Sequence, residues 1–117
     1  MHRLLTAAAA LVISATATLA ADPVGKYSIE GTNPGGDGAY SGTATVERTG
    51  ETYRVTWVVD GQRYVGTAVG NKDFIAISYR SGSESGLALY GEDGNGWKGV
   101  GTVANGRTLG AEVWTRR

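Results

Sequence analysis

The sequence contains no cysteine, one methionine, one phenylalanine and one histidine, and that histidine is His2. Without cysteine there is no disulfide scaffold, thiol nucleophile or Cys–His zinc site. A lone histidine at the extreme N-terminus cannot complete a Ser–His–Asp triad or hold haem. Charge of one sign is lacking too, since 11 Lys+Arg stand against 11 Asp+Glu. Such a chain lacks the surplus cations that sequence-independent nucleic-acid binding uses to neutralise phosphates, so no nucleic-acid partner is expected. Proline occurs twice, and no long hydrophobic run follows residue 20, so the rest of the chain is expected to carry no membrane span.

The one such run is at the start. Residues 1–20 read MHRLLTAAAALVISATATLA, with Arg3 as a short positive region and an apolar stretch behind it. Thr18 and Ala20 are the small residues a signal peptidase accommodates, so cleavage is expected after Ala20. This divides the chain into a signal peptide, 1–20, and a mature domain, 21–117. The mature domain is expected to be periplasmic or secreted, and its cysteine-free fold must rest on its own core.

Glycine is what the mature domain has in excess. All 19 glycines lie beyond residue 20, which makes it about one-fifth glycine, nearly three times ordinary usage. Apolar residues recur at period two in short runs broken by Gly, Asn and Asp, and no helical period is evident. Eight strands are predicted, at 25–31, 39–48, 52–59, 62–69, 73–80, 86–91, 96–103 and 108–115. The third alternates most cleanly, with Tyr53, Val55, Trp57 and Val59 on one face. Asp60-Gly61 and Asn105-Gly106 are two-residue hairpin signals, because both residue types tolerate positive φ. Longer connections are expected at 32–38 and 81–85. Short turns between consecutive strands make an antiparallel meander, and eight strands in a meander close to remove unpaired edges. The expected fold is all-β: a single up-and-down antiparallel eight-stranded barrel, a meander like that of lipocalins and avidin.

An aromatic residue followed two positions later by glycine recurs at Tyr40/Gly42, Tyr64/Gly66 and Trp97/Gly99. Residues i and i+2 share a strand face, so each ring is expected to lean over its own glycine where the strand bends. These aromatics either fill the barrel or line a ligand cavity within it.

Gly25-Lys26-Tyr27 is similar to the Gly-x-Trp signature that opens lipocalins, with Tyr in place of Trp. More of the chain resembles a group of short exported Gram-negative proteins commonly named fibronectin-binding proteins. That resemblance rests on the segment 27–35, Tyr40/Gly42, the segment 53–57, Leu87 to Gly91 and Gly110 to Arg116. It implies a fibronectin-like extracellular-matrix protein as partner, and it supplies no catalytic motif.

Few residues suggest chemistry. Asp37, Asp60 and Asp93 sit in turns, where Asp bonds locally to the backbone. Asp93-Gly94-Asn95-Gly96 lacks the ligand set of a calcium loop, and the 31–38 segment lacks the Lys-Ser/Thr of a phosphate loop. No metal, cofactor or catalytic residue is assigned, and an enzyme is not expected. Glu112, between Ala111 and Val113, is either a solvated outer-face acid or a polar group facing a cavity, where it would orient a ligand. The leading expectation is an exported, non-enzymatic binding module using loops or an outer face, with Arg54, Arg63 and Arg80 as candidate contacts. The alternatives are a lipocalin-like carrier of a small hydrophobic ligand and a periplasmic inhibitor of a hydrolase such as lysozyme. In the carrier, Tyr27, Trp57, Tyr64 and Trp97 would line the interior, with Glu112 in its polar role.

Overall fold

The computed structural model describes residues 22–117. The signal peptide and cleavage point expected from the sequence lie outside the described residues. The strands are β1 Gly25–Thr32, β2 Ala39–Thr49, β3 Thr52–Val59, β4 Gln62–Gly70, β5 Phe74–Ser81, β6 Glu84–Glu92, β7 Gly96–Val103 and β8 Gly110–Arg116. Each pairs antiparallel with the next, and β1 pairs with β8, so the sheet closes as an up-and-down barrel. One short 3-10 turn, Pro34–Gly36, interrupts the β1–β2 connection. Among the described residues no helix is long and apolar enough to cross a membrane.

Period-two patterning sets which side chains enter the barrel. Tyr53, Val55 and Trp57 point inward from β3, as do Ala44 and Val46 from β2 and Ile75 and Ile77 from β5. In β8 hydropathy and burial part company. Within it Ala111 and Val113 are exposed, while Gly110, Glu112 and Trp114 face inward.

Two connections differ from expectation. Ser81 pairs with Glu84, so the predicted 81–85 loop is a tight turn at Gly82 and Ser83. Gly82, at φ +61°, occupies the positive-φ first position of a type II′ turn, which suits the twist of the flanking strands. The Asn105-Gly106 connection is instead longer than a two-residue hairpin, because β8 begins only at Gly110. There the backbone of Thr32–Pro34 packs so closely that a side chain at Gly110 would collide with it. Asp60-Gly61 is the expected hairpin, with φ of +51° and +76°.

The ring–glycine rhythm is real, but it works across strands. Gly31 pairs with Tyr40, Gly86 with Tyr79 and Gly99 with Tyr90. In each pair the ring occupies the space a glycine side chain would need; an added Cβ on Gly31 would sit 2.5 Å from Tyr40 Cζ. The expected i, i+2 shielding is not what is seen: Gly42 is crowded by the Val58 carbonyl of β3, not by Tyr40.

One end of the barrel is closed. Residues Asp22–Val24 lie across it, with Pro23 fully buried. Tyr27 donates its hydroxyl to the Pro23 carbonyl at 2.7 Å, and Trp97 Nε1 donates to that hydroxyl at 3.3 Å. The Arg116 guanidinium lies 4.9 Å over the Tyr27 ring and donates to the carbonyls of Asp22 and Val24.

Candidate functional site: a buried carboxylate beneath an open mouth

Above that plug, the barrel is crossed by an aromatic layer. Trp114 packs 5.2 Å from Tyr27, 4.7 Å from Tyr90 and, edge-on, 6.1 Å from Trp57. This layer carries Glu112, which is 9 % exposed. Its Oε1 accepts from Trp114 Nε1 at 2.6 Å, Tyr90 Oη at 2.8 Å and Trp57 Nε1 at 2.9 Å. Its Oε2 accepts from the Tyr40 hydroxyl. Indole N–H groups can only donate, so Oε1 is committed as an acceptor, while Oε2 with one donor retains acceptor capacity. The donors come from β2, β3, β6 and β8, so the carboxylate braces strands from around the barrel. None of the four carries charge, and among the described residues no cation pairs with Glu112.

A cavity of about 310 Å³ begins at this floor and opens at the end opposite the plug. Tyr40, Trp57, Tyr64, Tyr79 and Tyr90 form its aromatic wall. Tyr79 meets Trp57 at 5.6 Å and Tyr64 at 6.2 Å, both edge-on. At the rim, Asp60 stands on the β3–β4 turn and Glu84 at the start of β6, and no Lys or Arg is among the lining residues. The negative charge acts on the phenols. Burial raises Tyr40 and Tyr90, and the Glu112 carboxylate raises both further, so they stay protonated donors. Burial first, then Glu84 and Asp60, raise Tyr64. Burial, Glu84, Tyr64 and Glu112 raise Tyr79.

The structure divides the predicted lining set. Trp57 and Tyr64 face the cavity with Glu112, whereas Tyr27 and Trp97 are fully buried in the closed half and do not reach it. Residues Asp22–Val24 cover that end, and Tyr27 and Trp97 pack beneath them, Tyr27 bonded to the Pro23 carbonyl and Trp97 to Tyr27. Tyr40, Tyr79 and Tyr90 were missed as lining residues. Their signal was present, since each lies in phase with inward Ala44, Ile77 or Ala88 on its own strand.

The candidate arginines lie on the outside. Arg54 is opposite Glu47 on β2 and Thr67 on β4, and Arg63 is opposite Val58. Four residues of β3 therefore separate the levels of Arg54 and Arg63, about 13 Å at strand rise. The hairpin does not make these two neighbours. Arg80, opposite Val65, is instead diagonal to Arg63, beside the exposed Val58 and Val65.

Compared with known proteins, the chain matches no family model, no characterised sequence and no solved structure.

Proposed function

We propose that the protein is an exported, non-enzymatic carrier or receptor that holds a small molecule inside its barrel, entering by the mouth between Asp60 and Glu84. The observation that carries this reading is the partly open interior. Half the barrel is packed solid, and the other half leaves a cavity of about 310 Å³ over a hydrogen-bonded carboxylate. That is the pattern of a binding pocket: an apolar and aromatic wall, pre-formed, with one polar group placed to orient the ligand. The volume sits at the low end for such pockets, so the ligand is small.

Trp57 in the wall makes the reading measurable. Small aromatic alcohols are expected to change tryptophan fluorescence saturably, and native mass spectrometry of the protein purified from its own host is expected to show a bound mass. Val59→Trp, which puts an indole into the mouth, is expected to abolish that binding while the melting temperature is retained. Binding that survives Val59→Trp would place the ligand elsewhere.

A second reading uses the outer face. Arg63, Arg80, Val58 and Val65 form a mixed cationic and apolar patch, and Arg and apolar groups suit protein contacts. This supports a macromolecular partner, and the resemblance of the sequence to fibronectin-binding proteins makes fibronectin the first to test. Titration against immobilised fibronectin, with lysozyme and albumin alongside, separates it from the carrier. Saturable binding to fibronectin lost in Arg63→Ala and Arg80→Ala would favour the patch, and equal signals on all three proteins would dismiss it. Binding to lysozyme alone would favour an inhibitor.

A further inference from the structure

We propose that the ligand of this cavity is a small organic cation, an ammonium on an aromatic or alkyl frame, with its charge on Glu112 and its frame against Trp57, Tyr64 and Tyr79. The inference rests on the reading of the cavity as a ligand site and names the chemistry of its occupant.

The first support is an imbalance at the floor. A carboxylate taken out of water is costly unless a cation or a full set of donors compensates it. Glu112 has donors, but every one is neutral, and Oε2 has only Tyr40. An ammonium N–H meeting Oε2 would complete the acceptor's coordination and supply the missing positive charge, as a charge-assisted hydrogen bond.

The second support is the wall. Aromatic faces attract cations through their quadrupole, with Trp the strongest, and the attraction grows in a desolvated site. Five aromatic side chains surround this space, and in the edge-on pairs Trp57–Tyr79 and Tyr64–Tyr79 only one ring of each turns its face to the other, so neither pair is stacked face to face.

The third support is the entrance. Asp60 and Glu84 at the rim and Glu112 at the floor give the cavity negative groups from top to bottom, and no Lys or Arg lines it. Low-dielectric walls focus such a field and draw in cations while repelling anions. A neutral apolar ligand would fill the space but leave Glu112 without a counter-charge. The volume of about 310 Å³ corresponds to about ten water-sized units of roughly 30 Å³, which suits a frame of about ten non-hydrogen atoms.

Three probes on one phenethyl frame decide it: phenethylammonium, 2-phenylethanol and 3-phenylpropanoate, titrated into the purified protein by calorimetry and by tryptophan fluorescence at neutral pH. The ammonium is expected to bind at least tenfold more tightly than the alcohol, and the carboxylate not measurably. In Glu112→Gln the preference for ammonium over alcohol is expected to collapse to less than threefold. Because Glu112→Gln alters the floor of the barrel, Asp60→Asn/Glu84→Gln at the exposed rim serves as a second variant. It is expected to reduce the ammonium preference severalfold with the fold unchanged by circular dichroism. Equal binding of alcohol and ammonium overturns the cation while leaving the cavity as a ligand site. Tighter binding of the carboxylate overturns it as well. If none of the three binds, both the cation and the cavity reading fall.

Discussion

Glu112 occupies the position that a strand reader would give to a solvated acid, between two small or aliphatic residues near the C-terminus. Its neighbours Ala111 and Val113 are the exposed ones, and the carboxylate is the buried group. The consequence at the residue scale is a large energetic asymmetry between substitutions. Glu112→Ala leaves two buried indole N–H groups and two hydroxyls without their acceptor, and is expected to cost about 3 kcal/mol or more. Tyr90→Phe removes a single donor of the set and is expected to cost about 1–2 kcal/mol. Chemical denaturation of the two variants measures both. A Glu112→Ala protein as stable as wild type would show that the four hydrogen bonds do not hold the barrel.

The strands and turns translate composition into shape by pairing each ring with a glycine on the neighbouring strand. Gly99 and Gly91 flank this rule within one ladder. A Cβ on Gly99 would strike the Tyr90 ring, whereas one on Gly91 would meet only Phe74 carbons at 3.5 Å and 3.7 Å, ordinary contact. Gly99→Ala is therefore expected to destabilise by about 1–3 kcal/mol and to alter the near-ultraviolet circular dichroism of the aromatic layer. Gly91→Ala is expected to stay within about 0.5 kcal/mol of wild type. The same thermal melts would expose the idea as wrong if the two alanines behaved alike. In the β5–β6 turn, Gly82 needs its positive φ of +61°, so Gly82→Ala is expected to cost about 1 kcal/mol with no change in the aromatic spectrum.

As a whole, the molecule is a barrel with a solid half and an open half, both built on interior tyrosines. Tyr40 and Tyr90 are raised above the ordinary phenol value of 10.0, by burial first and by Glu112 second. The folded state thus keeps these protons where the unfolded chain releases them. Below pH 10 both states are protonated and nothing is lost; as pH rises above 10 the unfolded state is increasingly favoured. Stability is expected to be flat in this respect around neutrality and to fall steadily from about pH 10 upward, the unperturbed tyrosine value. Phenolate absorbance and unfolding should then rise together in an alkaline titration. Complete tyrosine ionisation in a protein still folded at alkaline pH would contradict the interior network.

Several features of this protein follow from the sequence by itself. Period-two alternation, the Asp60-Gly61 turn and the short spacing of the strands determine an antiparallel meander, because each acts over only a few residues. The same local signals place Trp57 and Tyr64 on an inward face. They do not say which inward aromatics plug the barrel and which line its mouth. That depends on residues Asp22–Val24 folding across one end, and on closure between β1 and β8, whose paired Thr32 and Ala111 are 79 positions apart in the chain. Nor could alternation orient β8, where two aliphatic residues face outward while a glutamate faces inward. Only the assembled barrel brings Tyr40, Trp57 and Tyr90 from three other strands to that carboxylate, and the donors they supply are what make its burial tolerable.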